Sequence, residues 1–279
     1  MAWRRFARSF CRRWPAPVGL AIFLAVLAMA ASAPYLFPED PFSIVTRPLL
    51  WPGENRAYLL GSDMLGRDIL AGIFHGAQVS LAIGATATAA ALGAGVLIGA
   101  LSGYYGGVMD DLLMRTTEAF QTIPPFVFVI VVVVIVRPSI RSIILAIALV
   151  SWPSVARLVR AEFLALRHRE FVQSCRAMGM GDLRIIFRQI LPNALAPIIV
   201  TASIMVATAI LTESGLAFLG LGDANVMSWG SMIGAGREML RTEWYLTAIP
   251  GIAILLTVLA LNLVGEGLND ALNPRLRDR

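Results

Sequence analysis

Six apolar runs divide the chain: Val18–Phe37, Val79–Leu101, Thr122–Val136, Ser142–Val159, Ala194–Leu211 and Leu246–Val264. A helix rises about 1.5 Å per residue, so each run comes near the length that crosses a hydrocarbon core about 30 Å thick. Few polar side chains interrupt them. The pattern predicts an all-α polytopic membrane protein of about six transmembrane helices. The third run is short and opens on Pro124-Pro125, which predicts a kinked or re-entrant entry. In the second run Gly84, Ala87, Ala91, Gly95 and Gly99 recur every three or four residues. Such a smooth stripe lets another helix approach closely in lipid, although it does not name the partner.

The polar intervals add orientation. Residues 38–75 hold Pro38, Pro41, Pro48, Pro52 and Gly53, too many breakers for one long helix, and form an extramembrane segment. With the amino terminus inside, segments 1–15, 103–117, 157–192 and 267–279 face the cytoplasm. They carry sixteen of the 23 basic residues, against seven in 38–75, 137–141 and 214–245. This bias places both termini in the cytoplasm. Arg137 and Arg141 run against it in a loop short enough for them to reach the interface. Ala31-Ser32-Ala33 resembles a signal-peptidase site, but Pro34 follows directly and the apolar run continues, so the first run is expected to stay as an uncleaved span. The organisation expected is 1–75 as amino terminus, first span and outer segment, 76–266 as a five-helix membrane domain with inner loop 157–192, and 267–279 as an inner tail.

Composition agrees and excludes other classes. Hydrophobic residues make up 57% of the chain, mean hydropathy is +0.73, and 15% of residues are charged. Soluble domains carry about 25% charged residues, so the bilayer has to serve as part of the solvent. Every basic residue is arginine. Without lysine there is no P-loop lysine and no Schiff base, so a power source must lie in another chain. Cys11, Cys175, His75 and His168 match no metal-ligand spacing, and the two cysteines, both expected inside, are not expected to form a disulfide. The net charge of +5 reflects arginines at helix ends and does not point to nucleic acid. No catalytic constellation assembles, so no enzyme is expected. Glu118, Glu162, Glu213 and Glu266 lie near span ends, within reach of headgroups or arginines such as Arg160 beside Glu162, and are expected to be structural.

The basic segment 157–192 is the most informative. A short amphipathic helix is expected over Glu170–Met178, broken at Gly179-Met180-Gly181. Asp182 can cap a second helix, Leu183–Ile190, which Pro192 closes. A basic, partly apolar knuckle of this kind suits docking onto a protein. A membrane-surface loop obeying the positive-inside rule is the alternative.

Here the residues resemble a known family. The stretch from Glu170 to Gly179, followed by Leu191-Pro192, resembles the coupling-loop motif of binding-protein-dependent ABC permeases, E-A-A, three residues, G, nine residues, I-x-L-P. Gly179, Leu191 and Pro192 match in register. Gln173, Ser174 and Cys175 stand in place of E-A-A, and Gln189 in place of the isoleucine. Four further stretches resemble the second permease subunit of the dipeptide/oligopeptide/nickel branch. They are Gly61-Ser62-Asp63-Met64-Leu65-Gly66-Arg67-Asp68; Gly103 to Gly107 with Asp110 and Met114-Arg115; Phe218 to Gly222 with Ser228-Trp229-Gly230; and Asn262-Leu263, Gly267-Leu268, Asp270 and Asn273-Pro274-Arg275.

The resemblance implies a type I ABC importer permease fold in a bacterial inner membrane. It implies a heterodimer with a second permease subunit, two cytoplasmic ATPase subunits that bind ATP and Mg, and a periplasmic solute-binding protein. This chain then binds no cofactor itself. Glu170, Gln173, Ser174, Cys175, Ala177, Gly179, Asp182, Leu191 and Pro192 are the expected ATPase-coupling residues. On the outside, Asp63, Arg67 and Asp68 could pair with the binding protein or cap local turns. Trp229 could anchor at the membrane surface, contact the solute or contact the periplasmic partner. Di- or oligopeptides lead the solute classes, with nickel, glutathione-like and opine-like compounds behind. The rival reading is an ion-gradient-driven transporter. It predicts inverted repeats and mid-span acids, and neither is evident here.

Overall fold

A computed structural model describes Phe10 and residues 14–272. Arg4, Arg5, Arg8, Arg12, Arg13, Cys11 and Asn273-Pro274-Arg275 lie outside the described residues. The architecture is helical. Helix α1 covers Pro15–Leu36, with Pro15 in the first turn where its missing N–H costs nothing. Helix α2 covers Ile69–Tyr105, α3 Gly107–Gln121, α4 Pro125–Val136 and α5 Ile140–Leu166. The short α6 is Glu170–Ala177, α7 is Asp182–Phe218, α8 is Trp229–Gly236 and α9 is Tyr245–Leu272.

Five of these helices are long and apolar enough to cross a membrane, and α3 with α4 forms a sixth candidate bent by 82°. Contacts at the bundle ends decide how that bent pair runs. At one end Tyr104 of α2 meets Asp182 at the start of α7. At the other, the Ile140 N–H at the start of α5 donates to Asp223 Oδ2, just beyond the end of α7, at 3.1 Å. The chain therefore travels from the first end to the second through α3 and α4 together. Six crossings result among the described residues, with the turn before Pro124-Pro125 as the predicted break.

Several spans are longer than expected. Helix α2 has 37 residues, about 55 Å at 1.5 Å per residue, and begins at Ile69, inside the segment 38–75 expected to be extramembrane. The expected inner segment 103–117 is the end of α2 and most of α3. Inner loop 157–192 contracts to residues 167–181, because α5 runs on to Leu166 and α7 starts at Asp182. Pro192 does not close a helix. The turn over Ile186–Ile190 widens to π geometry just before it, and the helix continues past the ring. The Asn193 side chain donates to the Gln189 carbonyl at 2.6 Å beside this defect.

The small-residue stripe of α2 is the spine of the bundle, and it has three partners. Near the outer end Gly72 and Gly76 face α8, where a Cβ on Gly76 would sit 2.8 Å from Trp229 Cδ1. In the middle Gly84 faces Val206 and Ile210 of α7. Toward the inner end Gly95 and Gly103 face α5, where added Cβ atoms would sit 2.5 Å from Val155 Cβ and 2.6 Å from Phe163 Cβ. Backbone-to-side-chain approach of this kind supplies the dispersion contact that holds helices together where lipid removes the hydrophobic drive between them.

Candidate functional site

The inner end is built on the last turn of α2. Helix α6 turns Val172 and Cys175 inward, against a cluster that contains Tyr104, Phe163, Ile185, Ile186 and Ile190. Its other face is open, with Glu170, Gln173, Ser174 and Ala177 exposed. Around it Phe171, Met178, Leu183 and Phe187 also expose apolar surface, Met178 most at 73%. Cys175 is a free thiol under this cluster.

Gly179 ends α6 with φ of +75°. The Met180 N–H donates to the Cys175 carbonyl at 3.0 Å and the Gly179 N–H to the Arg176 carbonyl at 2.9 Å. These two bonds make a Schellman stop, which needs a left-handed residue after the cap. Met180 packs back on the same cluster and completes it. Asp182, expected as a cap, is instead the first residue of α7, with Gly181 as the cap residue. Its carboxylate is taken by the Tyr104 hydroxyl, which donates to Oδ1 at 2.6 Å.

Tyr104 gathers more of the loop. Its ring is buried, and the Arg176 guanidinium lies 5.1 Å from the ring centroid. Arg167, just after α5, donates from Nη1 to the Gly103 carbonyl at 3.2 Å and to the Tyr104 carbonyl at 3.4 Å. A Cβ on the next residue but one, Gly106, would sit 2.8 Å from that same Nη1. On the far side of the Gly106-Gly107 corner, Arg160 of α5 grips Asp110 of α3 through Nε at 2.5 Å and Nη2 at 2.6 Å. The Ser102 hydroxyl donates to the same carboxylate. Arg160 therefore serves Asp110 and not Glu162, its expected partner. Asp110, Asp111, Arg115, Glu118, Arg157 and Arg160 line a polar cavity of about 530 Å³ here.

The outer end has a cavity of about 480 Å³ between the segment after α1 and the segment after α7. Asp63, Arg67 and Asp68 border it, with Met64, Met227 and Met232 among its apolar walls. Asp63 accepts the N–H groups of Leu65 at 2.8 Å and Arg67 at 2.9 Å, so it closes a turn. Asp68 caps α2 by accepting the Leu70 N–H at 2.9 Å. Burial lifts the Asp68 carboxyl above its ordinary value, against the lowering pull of the Leu70 and Ala71 N–H groups. Arg67 lies over the Phe42 ring at 4.8 Å, and its Nε stands 3.9 Å from Asp63, beyond hydrogen-bond reach.

Trp229 does not sit at a surface. It is fully buried, its Nε1–H donates to the Ile73 carbonyl at 2.9 Å, and its backbone N–H donates to Ser80 Oγ at 3.1 Å. Neither membrane anchoring nor contact with solute or partner fits this placement. The segment after α7 folds back and seats α8 in the groove that Gly72, Gly76 and Ser80 leave on α2. Glu213 is a second correction. It is buried with Ser228 donating to Oε1 at 2.7 Å, and among the described residues no arginine pairs with it.

Tyr104 and Asp110 fall in a motif that the sequence singles out, but their pairing with Asp182, Arg167 and Arg160 as anchors of the inner loop is not legible there. Tyr104 stands in a glycine-rich motif, but its partners lie 63 to 78 residues away. For Arg160 no local signal exists. Among the described residues no group of three or more His, Cys, Asp or Glu side chains could hold a metal ion.

Comparison with known proteins agrees with this geometry. Residues 95–278 match the family described as binding-protein-dependent transport system inner membrane component. Residues 2–52 match the N-terminal TM domain of oligopeptide transport permease C. The chain is 37% identical to the di/tripeptide transport system permease protein DppC of Pseudomonas aeruginosa, over 99% of this chain and 93% of that protein. It is 40% identical to the dipeptide transport system permease protein DppC of Haemophilus influenzae, over 93% and 90%. It is 37% identical to the glutathione transport system permease protein GsiD of Pectobacterium atrosepticum, over 99% and 90%. Its fold is similar to that of a chain of the inward-facing MetNI methionine ABC transporter, with a TM-score of 0.59 at 17% identity, over 72% of this chain and 96% of that one. With well over half of its length matched by the family and full-length relatives well above 30% identity, the chain belongs to the binding-protein-dependent transport system inner membrane components, as a multi-pass permease subunit of an ABC importer.

Proposed function

We propose that this chain is half of the membrane pathway of an ATP-driven importer in a bacterial inner membrane, and that it passes short peptides delivered by a periplasmic binding protein. A second permease subunit completes the pathway, and two ATPase subunits carry the ATP and Mg. The observation that carries this reading is the loop 167–181. It joins the ends of α5 and α7, buries one face of α6 and leaves Phe171 and Met178 exposed, with Leu183 exposed beside them in the first turn of α7. An apolar patch rimmed by Glu170, Gln173, Arg176 and Arg184 is the surface a protein partner takes. Relatives named for di/tripeptide, dipeptide and glutathione transport support a short peptide as the solute. On the outside, Arg67 and the cavity it borders are the candidate contact for the binding protein.

The test is uptake of radiolabelled alanyl-alanine by cells that express the chain with its partner subunits. Uptake that survives an uncoupler and stops when ATP is depleted is the expected result. Uptake that collapses with the proton gradient while ATP is held constant would sink the proposal.

A further inference from the structure

Two spans, α5 and α7, flank the coupling loop, and a third helix, α2, also holds it, with Tyr104 at the centre of the contacts. We infer that Tyr104 is a positioning residue for energy coupling, the point where movement of α6 enters the bundle. The inference rests on the proposed function above and goes beyond it, because Tyr104 lies in α2, outside the loop and outside the stretch that resembles the coupling motif.

Three arms of the loop converge on this residue. The carboxylate that opens α7 accepts from its hydroxyl at 2.6 Å. The guanidinium near the end of α6 covers its ring at 5.1 Å. Arg167, which follows α5, holds its carbonyl and that of Gly103. The loop thus has little freedom to absorb a push within itself, since α6 cannot shift without carrying Tyr104 or breaking these contacts. Tyr104 is followed by Tyr105 and then by the Gly106-Gly107 corner, with φ of +71° and +54°, which opens α3. Across that corner Asp110 is tied to Ser102 of α2 and Arg160 of α5. A displacement received at Tyr104 is therefore delivered to α3, the first half of the bent span. Among the described residues no other span is bent by more than 40° at a break, so the bent pair is the element with a joint at which to move.

The contact that can be removed with least disturbance is the hydroxyl. Tyr104→Phe keeps the buried ring, the cation over its face and the carbonyl bonds, and it removes the hydroxyl with its bond to Asp182 and its polar contact with Arg176. The experiment uses the whole importer, reconstituted in proteoliposomes with its binding protein and radiolabelled alanyl-alanine. Uptake and ATP hydrolysis are measured on the same sample, and ATPase retention is measured by pull-down. Tyr104→Phe is expected to retain the ATPase subunits and basal hydrolysis but to lower peptide taken up per ATP by about tenfold, the scale of one hydrogen bond to a charged acceptor. Asp182→Asn, which keeps an acceptor for the hydroxyl but not its charge, should fall between wild type and Tyr104→Phe. Asp182→Ala should match Tyr104→Phe, and the double variant should be no worse than either, because both delete the same bond. An unchanged uptake-to-ATP ratio in Tyr104→Phe, with wild-type uptake intact, would overturn the role of Tyr104 alone. A fall in uptake matched by loss of ATPase retention would overturn it too, by reducing the residue to a structural one. Absence of ATP-dependent uptake in the wild type would overturn the proposed function beneath it.

Discussion

Arg160 and Asp110 stand fifty residues apart in sequence and meet in a two-pronged bond, Nε and Nη2 to the two carboxylate oxygens at 2.5 and 2.6 Å. The fork fixes the angle between α5 and α3 as well as their distance, which a single point contact would leave free. It lies at the inner end, on the same corner of the bundle as Tyr104. Its partial exposure sets its strength between the limits for surface and buried pairs. The Asp110 side chain is 13% accessible and that of Arg160 35%.

Removing either partner should therefore destabilise the protein by about 1–3 kcal/mol, the loss being smaller than for a fully buried pair because water reaches Arg160. The pairwise coupling from Asp110→Ala, Arg160→Ala and the double variant should be about 1–2 kcal/mol. Thermal unfolding in detergent measures it. Additive effects would mean that the fork contributes nothing as a pair.

Gly179 separates two kinds of backbone demand. Open space surrounds the position, so an added Cβ meets no atom within 4 Å, and the cost for alanine lies in φ alone. Gly179→Ala should cost about 1 kcal/mol and keep uptake near wild type. Gly179→Pro locks φ near −65° and deletes the N–H that bonds the Arg176 carbonyl, so it should abolish uptake while the protein stays in the membrane. Membrane-fraction blots beside uptake assays distinguish the two, and equal loss in both variants would contradict the Schellman account.

Trp229 should behave as a core residue. Trp229→Ala is expected to cost about 3–5 kcal/mol through the cavity it leaves, far more than an interfacial anchor would. Gly76→Val should reproduce much of that loss, because its first carbon would already stand 2.8 Å from the indole. Detergent-phase unfolding temperatures of the two variants provide the check.

Ser228 has two duties at once. Its hydroxyl accepts the Ser231 N–H at 2.9 Å as the cap of α8 and donates to Glu213 Oε1 at 2.7 Å. Among the described residues Glu213 Oε2 has no hydrogen-bond partner, so Ser228→Ala would strip this buried carboxyl of the donor it has at Oε1. We expect Ser228→Ala to cost about 2–4 kcal/mol, a lost cap plus an orphaned acid. Ser228→Thr, which keeps the hydroxyl, should retain most of the stability. Both are read from thermal unfolding in detergent, and a loss no larger than about 1 kcal/mol in Ser228→Ala would assign Ser228 the cap alone.

Much of the outer and inner chemistry is ambiguous in the unfolded chain, for reasons visible in particular residues. Asp63 and Asp68 carry the short-range signature of turn and helix caps, and they are caps. Trp229 admits anchor and contact readings and takes neither, because its burial depends on Gly72, Gly76 and Ser80, about 150 residues earlier. Glu162 has Arg160 near it in sequence, yet a helical i,i+2 spacing turns the two apart and leaves Arg160 to Asp110. Pro192 reads as a stop and is not one, since the wider turn before it relieves the clash that would break an ordinary helix.

The apolar runs by themselves determined that this is a multi-span membrane protein, and Pro124-Pro125 marked where one span breaks. Those outcomes follow from transfer free energies and backbone sterics that add up locally along the chain. The ends of the spans, the burial of Trp229 and Glu213, and the convergence of Asp182, Arg176 and Arg167 on Tyr104 were decided only by the tertiary structure. Each depends on which residues α2 brings side by side, and its stripe of small side chains allows close approach without saying which helix will make it.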